Sequence, residues 1–434
     1  MLSYDGESLD SSENSNILEE FREGESFFFR SEEFAFLTSG TLVKVPDTNL
    51  TCQSFEQTVM RTFEQAKHLM SNKTASIEPP LVVGAIPFDR TKPVNLRIPK
   101  SVKRFDPQTR LSVDAVEATH SLSSVKEVVS NWTTTHMRSV PNGDAYKQSV
   151  SQALDLFAKT ELDKVVLART LEIGCDQELP VSKLIARLAQ SNPNGFIFAA
   201  DSSLNQLSPR TLFGASPELL ISKKGAKVFS NPLAGSAARS TSVTEDCNRA
   251  EALLRSTKDL HEHALVIESI VDTLSPYCKK LHLPGKPSLL KTPTMWHLST
   301  LIQGELKDSE TSSLSLAKAL HPTPAVCGNP TVMARETISR LEHIERGFFT
   351  GTVGWSDING DGEWSVTIRC AEKQAQLLKL YAGAGIVEGS LPDLELAETA
   401  AKFGTMLNAL GISYSDAINY SDMGMSTSTK TKVA

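Results

Sequence analysis

Apolar positions along the chain switch repeatedly between strand and helix periods. Residues 27–45 read as strands. Phe55, Val59, Phe63, Ala66 and Met70 then recur every three or four positions in a stretch free of Gly and Pro, which predicts an amphipathic helix. Leu81-Val-Val-Gly-Ala-Ile86 reads as a buried strand stopped by Pro87, and residues 90–144 as loops and a linker broken by proline. From 145 the pattern sharpens into a helix over 145–160, a strand over 164–173, a helix over 181–190 and a strand over 195–200. Lys223-Lys-Gly-Ala-Lys227 and Asp357-Ile-Asn-Gly-Asp-Gly362 are hairpin turns between apolar runs, the second joining strands over 348–355 and 363–370. One long helix is predicted over 244–274, with Ala250, Leu253, Leu254, Leu260, Ala264, Val266, Ile267 and Ile270 on its buried side. Antiparallel strands interspersed with helices indicate an α+β fold, not a doubly wound sheet.

Composition narrows the function. The 434 residues are 40% apolar and 22% charged, ordinary for a globular protein, and the net charge of −7 with no basic block excludes a nucleic-acid binder. Six scattered cysteines form no Cys-x-x-Cys pair, which suits a reducing compartment better than a disulfide framework or a zinc site. The acidic, polar start is not a secretory signal, and no run approaches the roughly 18 apolar residues of a membrane span. A cytoplasmic protein with no membrane association is expected. Residues 1–20 and 414–434 read as disordered, and 21–413 as a single large catalytic domain of two interleaved α+β subdomains.

Chemistry concentrates near the C-terminus. Tyr381-Ala-Gly-Ala-Gly385 reads as a glycine turn feeding a helix on which Glu395, Glu398 and Lys402 fall at i, i+3 and i+7, so two carboxylates and an ammonium share a face. Such a face can hold a divalent cation beside an anionic ligand, although the same spacing is common on solvated helices. Three other motifs fail on inspection. His261-Glu-His263 lacks the second histidine of a zinc-protease helix, because position 265 is Leu. The loop opening at Asp357 lacks the glutamate an EF-hand needs at its twelfth position, Ile368. The third glycine after Gly383-Ala-Gly385 is Gly389, one residue late for a dinucleotide fingerprint.

Six segments form a joint pattern: Lys164-Val-Val-Leu-Ala-Arg169, Gly214-Ala-Ser-Pro-Glu218, Pro232-Leu-Ala-Gly-Ser236, Lys258-Asp-Leu-His-Glu262, His321-Pro-Thr-Pro-Ala-Val-Cys-Gly328 and Val366-Thr-Ile-Arg369. With the C-terminal helix they resemble the chorismate-utilising enzymes, most closely the isochorismate synthases of catecholate siderophore pathways. Gly84-Ala-Ile-Pro-Phe-Asp89 adds to the siderophore likeness. The resemblance implies two antiparallel sheets packed face to face with helices outside, and a cleft that moves the hydroxyl of chorismate from C4 to C2.

By the same resemblance Lys164 is the base that activates water, and Glu218 the acid that protonates the departing hydroxyl. A free lysine titrates near 10 and a glutamate near 4, so both need burial or charged neighbours to act near neutrality. Magnesium is implied at Glu262, Glu395 and Glu398, an oxygen-only set suited to a hard cation. Arg369, next to Ile368, has the planar fork for a carboxylate. Gly235, Ser236, Gly383, Gly385 and Lys402 would hold the other carboxylate, with His297, Ala325, Val326 and Phe349 beside the ring.

Lys164 speaks against an anthranilate synthase, which uses ammonia, and Ala234 against an aminodeoxychorismate synthase, which carries a lysine there. No glutamine amidotransferase partner is expected, and the chain reads as a monomer. A salicylate synthase, which goes on to eliminate pyruvate, remains an alternative. Lyase-competent members favour Tyr where this chain has Phe349 and Thr where it has Ala325. A non-catalytic carboxylate- or metal-binding protein on the same fold is the other alternative.

Overall fold

The computed structural model describes residues 14–71, 79–111, 132–203 and 209–413. Among these, seventeen strands join in one curled antiparallel network, and three more (Leu233–Ala238, Ser288–Lys291 and Met295–Ser299) form a separate small sheet. Eight α-helices accompany them among the described residues. The α+β class and the antiparallel layers are as expected, with the large layers joined through shared strands.

The central ladder pairs Lys164–Cys175 with Leu377–Val387, from Lys164 opposite Val387 to Gly174 opposite Leu377. Both strands are almost wholly buried, which suits their apolar runs. Val165, Leu167, Ala384 and Ile386 pack with Tyr146 and Val150 of helix Gly143–Phe157. Leu171, Ile173, Leu378 and Leu380 join a cluster with Leu184 and Leu188 of helix Val181–Ser191. The final helix, Pro392–Leu410, begins with proline, carries Asp393 and Glu395 in its first turn and ends at Gly411 with φ 74°, all favourable helix-end chemistry. Arg169 fastens it to the central ladder: its Nε donates to Thr399 Oγ1 at 2.7 Å, and its guanidinium lies 5.3 Å from the Phe403 ring centre.

Several expectations need correction. The helix read over 244–274 is two, Val243–Arg255 and Thr257–Leu274, parted by Ser256 in an extended conformation (φ −68°, ψ 112°). Ser256 Oγ accepts from Asp259 N–H and caps the second helix, a local signal hidden by apolar periodicity that continues across the break. Gly383 and Gly385 lie inside strand Leu377–Val387, not in a turn. Arg369 lies on no strand: the ladder stops at Val366 and resumes at Cys370, with Arg369 at φ 50° between. Strands Asn95–Arg104 and Thr134–Val140 occupy part of the supposed linker, of which residues 112–131 lie outside the described residues.

The ordered body also starts earlier than residue 21. Asn14–Glu20 is a 3-10 helix whose Ile17 and Leu18 insert into the cluster of Leu184 and Leu188, two apolar residues that a polar local composition conceals. Residues 1–13 and 414–434, also read as disordered, lie outside the described residues. Among the described residues no helix is long and apolar enough to cross a membrane.

Candidate active site

One cavity collects most of the residues singled out from the sequence. Glu218, Gly235, Ser236, Glu262, His297, Ala325, Val326, Phe349, Ile368, Arg369, Gly383, Gly385, Glu398 and Lys402 line it. Lys164 and Glu395 do not belong to the lining. Lys164 sits just behind the wall, fully buried, with Nζ 2.8 Å from Glu262 Oε1. Glu395 instead accepts from Lys258 Nζ at 2.7 Å.

The wall between them explains the glycines. A Cβ on Gly385 would stand 2.2 Å from Glu262 Oε1 and 3.2 Å from Lys164 Cε, so only glycine leaves room for the ion pair. Gly235, at φ 77°, lies where the pairing of Leu233–Ala238 with Met295–Ser299 loses register between Leu233 and Ser236. Ser236 then sits directly opposite His297.

Electrostatics divide the site. Glu218, in the short link between strands Thr211–Ser216 and Leu219–Lys224, is 3% exposed. Burial pushes its carboxyl up to about 7, and the Leu233 N–H, Lys164, Arg369 and Lys402 pull it back only in part. Glu262 is also buried, but the charge and hydrogen bond of Lys164, then Lys258 and Lys402, outweigh burial and hold it below its ordinary value. Burial, then the charges of Arg369 and Lys402, hold His297 well below the usual histidine range, so its ring is neutral. Arg369 Nη2 lies 3.2 Å from His297 Nε2 and donates to it. Burial lowers Arg369 to about 10, still cationic at neutral pH.

Two polar atoms at the cavity lack a hydrogen-bond partner among the described residues: Arg369 Nε and Ser236 Oγ, both on buried atoms. Unsatisfied buried groups of this kind mark a place where a polar ligand completes the bonding. Lys402 reaches across the mouth of the central ladder, with Nζ 2.8 Å from Gly383 O and 2.6 Å from Glu398 Oε1.

The three candidate metal carboxylates each meet a lysine: Glu262 with Lys164, Glu395 with Lys258 and Glu398 with Lys402. Burial first, and the neighbouring Glu398 second, raise Glu395 above its ordinary value. Among the described residues no three His, Cys, Asp or Glu side chains converge as a ready-made metal cluster. The donors nevertheless fit a small hard cation in kind, being oxygen only, with Glu262 and Glu395 buried and Glu398 half-buried, and crowded enough that added positive charge would relieve Glu395. They fall short in number, so further oxygens would have to come from water and a bound ligand.

The rejected motifs have structural roles. His263, lowered to about 4 by burial, has Nδ1 3.2 Å from Ala234 O and Nε2 2.7 Å from Thr300 Oγ1. Asp357 Oδ1 accepts from the N–H groups of Asn359 and Asp361 and closes the hairpin. The sequence reading missed Leu233, Thr350 and Ala382 in the lining and the buried Arg346 behind it. Thr350, at φ 57°, had no signal because nothing in its type betrays a left-handed backbone.

Comparison with known proteins gives the family. The sequence model of the family described as chorismate binding enzyme matches residues 100–411. Isochorismate synthase DhbC of Bacillus subtilis is 46% identical over 403 residues, 92% of this chain and 96% of that protein. The vibriobactin-specific isochorismate synthase of Vibrio cholerae is 42% identical over 90% of this chain and 93% of that protein. The crystal structure of DhbC from Bacillus anthracis superposes with a TM-score of 0.82 at 44% identity, covering 93% of this chain and all of that one. With its fold and its sequence matched over most of their length, the chain belongs to the chorismate-binding enzymes.

Proposed function

We propose that this protein is a magnesium-dependent isochorismate synthase that converts chorismate to isochorismate for a 2,3-dihydroxybenzoate route to catecholate siderophores. The observation that carries the reading is the cavity that joins a carboxyl poised near neutrality, Glu218, to the buried Lys164–Glu262 pair and the cationic Arg369. The names of the relatives point the same way.

In this reading Lys164 takes a proton from the water that adds at C2, and Glu218 gives a proton to the C4 hydroxyl, which leaves as water. One water enters and one departs, so isomerisation leaves the atom count unchanged. Lys164, ion-paired with Glu262 as an ammonium, can accept that proton only after giving up one of its own to solvent, a loss that drawing Glu262 away from it would favour. Glu262 and Glu398, with Glu395 directly or through water, would hold magnesium, which supplies positive charge to bind and orient the ring carboxylate of the substrate. Arg369 Nε and Ser236 Oγ, both unpartnered among the described residues, are available to the substrate's carboxylates. His297, neutral and bonded to Arg369, orients that guanidinium.

The same reading makes the protein a cytoplasmic monomer with no amidotransferase partner, in keeping with its cysteine pattern and with water as the nucleophile. The test is incubation of the purified protein with chorismate, with and without magnesium, and identification of products by chromatography and mass. Isochorismate alone is expected. Salicylate with pyruvate would move the assignment to the lyase branch, and an absence of turnover would overturn the reading.

A further inference from the structure

The strand that carries Lys164 has an incomplete edge. Leu377–Val387 flanks one side of it throughout, but on the other side Gly328–Asn329 covers only Lys164 and Val165, and Thr134–Val140 covers Thr170 to Cys175. Between them, on that side, residues 166–169 have no strand alongside among the described residues. Main-chain groups left bare in a buried sheet cost free energy unless something else bonds to them.

Two side chains fill the gap. Ala168 N–H donates to Glu342 Oε1 at 2.8 Å, and Arg346 Nη2 donates to Val166 O at 2.8 Å, while Val166 N–H finds Cys327 O at 2.8 Å. Arg346 also forks onto Glu342, with Nε 2.8 Å from Oε2 and Nη2 in a short bond to Oε1. Its Nη1 donates to Val326 O at 2.7 Å and to Thr350 Oγ1 at 3.1 Å. All five guanidinium N–H groups thus have acceptors, with the guanidinium carbon 4.3 Å from the centre of the Phe88 ring.

The acceptors outside the ion pair are informative. Val166, Val326 and Thr350 come from separate parts of the chain, and all three line the cavity, whereas Arg346 is 5% exposed and does not itself line it. We propose that Arg346, held by Glu342, is a positioning residue that sets the spacing between the Lys164 strand and the cavity wall at Val326 and Thr350. This inference rests on the reading of the cavity as a chorismate-isomerising centre. Stability alone does not require such a device, because a buried ion pair replaced by apolar side chains is often neutral. A lysine keeps the charge but has three donors at one point, so it cannot span the same acceptors.

The experiment compares Arg346→Lys with wild type for melting temperature, kcat and KM on chorismate. A folded Arg346→Lys is expected to lose about 10²-fold in kcat, the size of effect a shift near 1 Å produces, with KM changed much less. Guanidinium ion added to Arg346→Ala is expected to restore part of kcat, a rescue that loss of global stability would not give. Should Arg346→Lys fail to fold, Thr350→Val removes the bond from Arg346 Nη1 together with the local one from Thr350 Oγ1 to Phe349 O, and is expected to lower kcat about tenfold, the same effect on a smaller scale. Folded variants with wild-type kcat in an active enzyme would sink the inference alone. A wild type that does not turn over chorismate would sink the functional reading and the inference with it.

Discussion

Lys164 Nζ and Glu262 Oε1 stand 2.8 Å apart, with both side chains out of solvent, so the candidate base and a candidate metal ligand neutralise one another. Removing either one strands the other. Lys164→Ala is therefore expected to lower turnover by the order of 10²–10⁴-fold, the range for general-base deletion. It should also destabilise the protein by roughly 3–5 kcal/mol, because Glu262 loses its counter-charge. Adding Glu262→Gln to Lys164→Ala should recover most of that stability and none of the activity. Turnover in the double variant would remove Lys164 from the chemistry.

Glu218 gives a pH signature. As a general acid it must be protonated, so kcat/KM is expected to fall as pH rises through about 7, and Glu218→Gln should lose this limb together with most activity. Stability follows from the same shift. The folded value, raised from 4.5 to about 7, gives stability that is complete below 4.5 and is lost as pH rises through 7. Relative to Glu218→Gln, wild type should lose roughly 3 kcal/mol across that window. Parallel denaturation curves at each pH would check it, and a constant difference would show that Glu218 titrates normally.

Metal dependence tests the carboxylates. Glu262→Gln keeps an oxygen near Lys164 but removes a negative charge, so the magnesium concentration for half-maximal activity is expected to rise about tenfold or more. Glu398→Gln, on the other helix, should act in the same direction. Magnesium titration of the three proteins is the measurement, and superimposable curves would return both glutamates to a purely structural role.

Legibility followed the range of the interaction that decided each feature. Helices Phe55–Ser71 and Val181–Ser191 and the strand from Lys164 were readable because apolar spacing alone determines which face is buried. The break at Ser256 was not, since one capping hydrogen bond decides it while the apolar spacing runs on. Arg369 and Thr350 were misplaced or missed because their positive φ is imposed by distant packing. Charged residues of the cavity could be named from motif order, yet the lysine that partners each carboxylate could not. Those partnerships depend on how helices Thr257–Leu274 and Pro392–Leu410 meet the central ladder. Arg346 lay outside every motif, and only its five acceptors reveal its importance.

Gly385 offers the most local test of the Lys164–Glu262 arrangement. An alanine there needs no unusual backbone, since Gly385 lies in a regular strand, so the substitution acts through space alone. The new methyl would fall 2.2 Å from Glu262 Oε1, which must move and take Lys164 with it or leave it behind. Gly385→Ala is thus expected to lower kcat by about 10²-fold, as misplacement near 1 Å does, while costing on the order of 1–3 kcal/mol of stability from overpacking. Gly285→Ala is the control, because a Cβ there meets nothing within 4 Å. Both variants should fold, and a steady-state assay beside thermal melts separates the two effects. Wild-type kcat in Gly385→Ala would mean that the pair can shift without consequence, and the tight seat behind the glycine would have no part in catalysis.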